Sequence, residues 1–130
     1  MEAVNMFPGI SGIGVDIVRV ERFKKHAENK DTRFCKRVFT KREREYLNGK
    51  GAESMAGIFA AKEAVSKALG TGFSGFFPVD IEIISDENGK PAVALHGRAG
   101  EIAGDVRLFV SISHTPQDAV AFAVALGLPG

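Results

Sequence analysis

Phe59-Ala-Ala-Lys-Glu-Ala-Val-Ser-Lys-Ala-Leu-Gly-Thr-Gly72 reads as the second half of a long helix that runs into a glycine turn. Ser54 predicts an N-cap, and Ile58, Ala61, Val65 and Leu69 recur at helical spacing. A helix is therefore expected over residues 55–69, with Gly70 as its stop. Glu63 and Lys67 stand four residues apart, beside the stripe that carries Phe59, so both can address one ligand. Read without a ligand, they are an exposed ion pair worth about 0.3–0.5 kcal/mol, and Gly70-Thr71-Gly72 is a plain turn.

Upstream of this helix, Ile13, Val15 and Ile17 alternate with Gly14, Asp16 and Val18 and predict a first strand. Val20, Phe23 and Ala27 follow at helical spacing in a short basic helix, and Asp31-Thr32 opens another turn with Phe34 and Val38. Thr40-Lys-Arg-Glu43 is a capping-box pattern for a helix that stops at Gly49. Downstream, Ile81-Glu-Ile-Ile84 and Ala92-Val-Ala-Leu95 flank Asn88-Gly89 as a hairpin. A short helix is expected over residues 98–103, and two strands over residues 106–114 and 119–126 pair across Thr115-Pro-Gln-Asp118. The sum is an α+β fold: a compact single domain, a mainly antiparallel sheet and a long central helix.

The chain of 130 residues is 45% hydrophobic and 25% charged, the composition of a soluble globular domain. No apolar stretch approaches the ~20 residues of a membrane span, and the N-terminal residues carry no signal-peptide pattern. The single Cys35 suits a reducing, cytoplasmic setting and, with three scattered histidines, argues against zinc. Charge is unevenly spread. Residues 19–45 hold eleven Lys/Arg against five acids, a net +6, while the remainder holds six against eleven, a net −5. Such a lobe suits an acidic partner or is simply a solvated face.

Asp16 is a carboxylate inside an apolar strand, where desolvation is costly without a cation or hydrogen bonds. It is either a metal ligand or a cap for the helix near Val20. With Glu63 it supplies too few ligands for a calcium cage but suits magnesium, which takes one or two carboxylates, phosphates and waters. Lys67 could neutralise a leaving phosphate. His114, at a strand end in Ser111-Ile-Ser-His-Thr115, is either a ligand contact or a structural hydrogen bonder.

Gly12-Ile-Gly-Val-Asp-Ile17, the stretch from Phe59 to Gly72, and Val110-Ser-Ile-Ser-His114, in this order and spacing, resemble the short bacterial 4′-phosphopantetheinyl transferases, the holo-[acyl-carrier-protein] synthases. Asn88-Gly-Lys-Pro91 also fits that pattern. The resemblance makes residues 12–130 one transferase domain and residues 1–11 an N-terminal extension. It implies transfer of 4′-phosphopantetheine from coenzyme A to a serine of apo acyl carrier protein, with adenosine 3′,5′-bisphosphate as the other product. It also implies Mg2+ on Asp16 and Glu63, catalysis by Glu63 and Lys67, and a coenzyme A site drawing on Lys62, Ser66, Gly70, Thr71, Gly72, Ser113, His114 and Thr115. Glu63 and a water on the metal both stand as acceptors of the serine proton. Arg22, Arg33 and Phe34 match the carrier-docking surface, with Lys24, Lys25 and Arg37 as secondary candidates. The resemblance further implies a homotrimer with active sites at subunit interfaces. The competing readings are a basic nucleic-acid-binding module, for which no recognition motif is present, and a non-catalytic coenzyme A binder.

Overall fold

The computed structural model describes residues 9–127, so residues 1–8 of the expected N-terminal extension lie outside the described residues. Strand β1 (Gly9–Arg19) is followed by a 3-10 turn (Val20–Phe23) and three short helices, α1 (Lys24–Glu28), α2 (Arg33–Val38) and α3 (Lys41–Leu47). The long helix α4 (Ala52–Ala68) comes next, then a 3-10 turn (Pro78–Asp80), the hairpin β2 (Ile81–Ser85) and β3 (Pro91–Leu95), α5 (Gly97–Ala103), β4 (Arg107–His114) and β5 (Asp118–Gly127). The strands form a three-stranded antiparallel sheet in the order β1-β5-β4 and a separate two-stranded antiparallel hairpin. This is the α+β arrangement that the sequence predicts.

Helix α4 crosses the three-stranded sheet diagonally, and small residues make the approach possible. A Cβ on Gly12 or Gly14 of β1 would sit 1.9 Å from the carbonyl oxygen of Ala68 or Ala64, and one on Gly57 would meet Ile112 of β4 at 2.9 Å. Between these ends runs β5, whose Ala119, Ala121, Ala123 and Ala125 are buried, as are Ala60, Ala61 and Ala64 of α4. Backbone therefore packs almost directly on backbone. The bulkier core lies on the other flank of α4, where Phe23, Phe39, Leu47, Met55 and Ile81 are fully buried.

Several local expectations change. Thirteen of the seventeen α4 residues are buried, so the central helix is covered on most sides and not along the single stripe its periodicity suggests. Gly51 occupies its N-cap and no side chain caps it, which places Ser54 inside the first turn. The capping box of α3 forms as expected, with Glu43 N–H donating to Thr40 Oγ1 (3.1 Å) and Thr40 N–H to Glu43 Oε1 (2.8 Å). The hairpin loop spans five residues, 86–90, and Asp86 anchors it by accepting from the Asn88 and Lys90 amides. Gly89 supplies the left-handed backbone (φ 82°) that this loop needs.

Candidate functional site

The close packing of β1 on α4 sets the site. Gly12 and Gly14 turn towards the helix, so period-two alternation brings Asp16 to the same side and sends Ile13, Val15 and Ile17 outward. Asp16 thus faces the C-terminal half of α4, where Lys67 reaches over from the helix. Lys67 Nζ donates to Asp16 Oδ1 (3.1 Å) and to the Val15 carbonyl (2.9 Å). The expected pairing of Lys67 with Glu63 within the helix is replaced by this tertiary contact. Asp16 does not cap the following turn, whose N-cap Arg19 receives no side-chain hydrogen bond.

Glu63 is half-buried one turn before Lys67. Burial holds its carboxyl above the ordinary glutamate range, and the nearby Asp16 charge adds to that, against opposing pulls from Lys67 and Arg22. Asp16 and Glu63 are thus close enough to feel each other's charge, with Lys67 bonded to Asp16 and Arg22 nearby, and two such oxygen donors can serve a hard divalent cation. Among the described residues no third carboxylate, histidine or cysteine joins them to complete a metal cage. That donor set suits an ion whose other ligands are phosphate and water oxygens.

Arg22 lies at the same recess, its guanidinium 5.0 Å from the Phe59 ring centroid and 5.5 Å from that of Phe23. Stacking on buried rings holds an exposed arginine in a defined place. Phe34 is half-buried and stacks on His26 at 4.0 Å, so it supports the lobe from beneath, while Arg33 is exposed.

The other expected contacts divide. Gly70 (φ 84°) and Gly72 (φ 58°) form the turn after α4, and the Gly72 amide donates to the Ser66 carbonyl (3.1 Å). Thr71 Oγ1 donates to the Gly72 carbonyl (2.8 Å). Ser113 and His114 are both exposed, but adjacent strand residues point to opposite faces. His114 lines a cavity of about 150 Å³ with Tyr46, Ser54, Gly57 and Ile58, beside the first half of α4. Thr115 Oγ1 accepts the Gln117 (3.2 Å) and Asp118 (3.0 Å) amides and so shapes the β4–β5 turn. Because β5 separates β1 from β4, and Asp16 pairs with Ala121 but His114 with Ala119, the two stand at opposite edges of the sheet, roughly 12 Å apart. One chain does not bring them together.

Lys62 and Ser66 are corrections. Both turn into the protein, Lys62 fully buried and Ser66 nearly so. Lys62 Nζ lies 2.7 Å from Glu43 Oε1 and donates to the Pro78 (3.1 Å) and Ile81 carbonyls, which accounts for its three hydrogens. Ser66 Oγ donates to the Glu63 carbonyl (2.7 Å). Neither has a free group to offer coenzyme A. Glu43 in turn accepts from the Thr40 and Ile83 amides (2.8 and 2.7 Å). Burial pushes Glu43 up and Lys62 down from their ordinary ranges, and their mutual attraction works against both shifts. The capping pattern pointed to Glu43, but no sequence signal pointed to its partner nineteen residues on.

The family model for the 4′-phosphopantetheinyl transferase superfamily matches residues 12–124. A holo-[acyl-carrier-protein] synthase from Thermoanaerobacter sp. strain X514 is 49% identical over 122 residues, covering 88% of this chain and 86% of that protein. Among solved structures, the holo-(acyl-carrier-protein) synthase of Bacillus anthracis in complex with CoA (3′,5′-ADP) is similar at a TM-score of 0.76 and 37% identity, covering 91% of this chain and 97% of the other. The Helicobacter pylori holo-[acyl-carrier-protein] synthase in complex with coenzyme A is similar at a TM-score of 0.75 and 32% identity, covering 87% and 98%.

Proposed function

This chain belongs to the 4′-phosphopantetheinyl transferase superfamily, and on that premise we propose that it transfers the 4′-phosphopantetheine arm of coenzyme A to a serine of an apo acyl carrier protein. The observation that carries the reading is the recess where Asp16, Glu63 and Lys67 meet across β1 and α4. In the reaction a bond forms between the serine oxygen and the phosphorus bearing the pantetheine arm. The bond from that phosphorus to the bridging oxygen breaks, and adenosine 3′,5′-bisphosphate leaves. Asp16 and Glu63 would hold Mg2+. When bound, Mg2+ supplies neutralisation of the pyrophosphate charge, the dominant need in phosphoryl transfer. Lys67 places an ammonium where negative charge grows on the leaving phosphate. Glu63 and a water on the metal would both stand within reach as acceptors of the serine proton.

Arg22, fixed on Phe59 beside Glu63, and the exposed Arg33 supply positive charge for an acidic carrier protein, with Phe34 supporting the lobe. Gly70, Thr71, Gly72, Ser113, His114 and Thr115 are the remaining coenzyme A contacts of the proposal. We place this enzyme in a homotrimer whose sites are shared between subunits. Two features support that. The outer face of the sheet exposes Ile13, Val15, Ile17, Phe109 and Phe122, an apolar surface that water disfavours. A site shared between chains would also unite an Asp16 edge with a His114 edge. The single Cys35 is buried and free, and no helix among the described residues is long and apolar enough to cross a membrane; a cytoplasmic enzyme is the reading consistent with both.

The test is the intact mass of an apo acyl carrier protein after incubation with this protein, coenzyme A and Mg2+. A gain of about 340 Da, the phosphopantetheine increment of a phosphoryl transfer, that EDTA abolishes would establish the activity. A folded protein that adds no mass to any of several carriers would overturn it.

A further inference from the structure

The ion pair on the sealed flank of α4 is directional, and the surface that α4 lays on the sheet is not. Ala64 and Ala68 lie against Gly14 and Gly12, and Gly57 against Ile112, a contact of small residues with few long side chains to define how the helix is turned about its own axis. Lys62 has three fixed partners instead: Glu43 Oε1 on α3, the Pro78 carbonyl of the 3-10 turn and the Ile81 carbonyl at the start of β2. Glu43 is itself held by the Thr40 and Ile83 amides. Apolar side chains of equal volume could fill the space with no loss of stability, so filling it is not what calls for an ion pair.

Lys62 is followed immediately by Glu63, about 100° further round the helix. At a side-chain radius of ~6 Å, a 10° rotation of α4 would carry the Glu63 carboxylate ~1 Å from its place opposite Asp16. Displacements of ~1 Å are large for a site that must meet a metal and a phosphate. We propose that the Lys62–Glu43 ion pair is a positioning device: it sets the rotation of α4 at which Glu63 faces Asp16, and so tunes the affinity of the two carboxylates for a divalent cation. The inference rests on the reading that Asp16 and Glu63 hold that cation.

Mn2+ titration followed by electron paramagnetic resonance, with the protein saturated in coenzyme A, tests it. The titration reports the number of sites separately from the Kd of each, so loss of folded protein is not mistaken for loss of affinity. Glu43→Gln, which keeps the side chain's shape and the charge on Lys62, is expected to leave the number of sites near that of the parent and raise the Mn2+ Kd about ten-fold. Lys62→Met is expected to raise the Kd of whatever folded fraction it retains. Sites reduced in number but binding at the parent's Kd would overturn the proposal and make the pair purely structural. Glu63→Gln separates the two levels. If it removes Mn2+ binding while Glu43→Gln leaves the Kd untouched, the positioning role alone falls; if it also leaves the Kd untouched, the metal reading falls and takes this inference with it.

Discussion

Helix α4 carries two lysine–carboxylate clusters on its two flanks, built from the same residue types and serving opposite ends. Lys62 and Glu43 are both 0% exposed, and the protein supplies every partner they need. Lys67 and Asp16 are 51% and 17% exposed, and beside them Glu63 is a half-buried carboxylate that Lys67 and Arg22 attract without closing a salt bridge on it. The closed cluster has nothing left to offer a ligand and acts on the fold. The open one is chemically incomplete, and incompleteness is what a substrate-binding recess requires. Adjacent residues of one helix thus take different tasks because burial, rather than residue type, decides which hydrogen bonds remain to be made.

The sharpest way to break the contrast is Glu63→Gln or Asp16→Asn. Each is expected to lower transfer about 10³-fold or more, in line with removing a key electrostatic group, with an unchanged circular dichroism spectrum. Near-parent mass gain on the carrier would sink the open cluster as a site. Lys62→Met should cost about 3–5 kcal/mol in urea unfolding, because it strands a buried Glu43. Lys67→Met should cost less than about 1 kcal/mol yet depress kcat; equal losses of stability would erase the distinction. Phe122→Asp on the outer sheet face should yield single chains in sedimentation and abolish transfer, whereas an intact assembly would move the interface elsewhere. Arg22→Glu is expected to raise the KM for the carrier protein about ten-fold, the scale of one interface charge contact, with a smaller rise for coenzyme A. Equal rises would reassign Arg22 from docking to the recess itself.

The smallest effect concerns Glu82, on the rim of the closed cluster. Burial alone would raise its carboxyl, but hydrogen bonds from Thr40 (2.6 Å) and with His96 (3.1 Å) hold it below the ordinary range. A depressed folded-state value adds stability above the unfolded value, about 4.3, and that stability fades as pH falls through the folded value. Glu82→Gln should therefore flatten the acid limb of stability below about pH 4.3 by less than about 1.5 kcal/mol. An identical acid limb in the variant would remove these hydrogen bonds from the account.

Local chemistry made much of this legible in the sequence. The capping box at Thr40 and Glu43, the glycine stop after α4, and the Thr115–Asp118 turn that joins β4 to β5 all depend on residues within a few positions of one another, and all appear as expected. The two carboxylates proposed to hold metal were legible for a related reason: Asp16 is conspicuous in an apolar strand, and Glu63 sits in a specific stretch. Contacts between distant segments were not legible. Period-two alternation in β1 separates Ile13, Val15 and Ile17 from Gly14 and Asp16 but cannot say which set faces the helix; only the steric demand of α4 against Gly12 and Gly14 settles it. Helical spacing puts Lys62 and Glu63 on different sides of α4, yet nothing local tells which side is sealed. By itself the sequence determined the elements, their order and the family to which they belong, because propensities, caps and motifs are short-range. Tertiary structure decided that Lys67 reaches Asp16 instead of Glu63, and that Lys62 pairs with Glu43 out of reach of any ligand. Burial, which sets the cost of every unpaired charge, is a property of the packed chain.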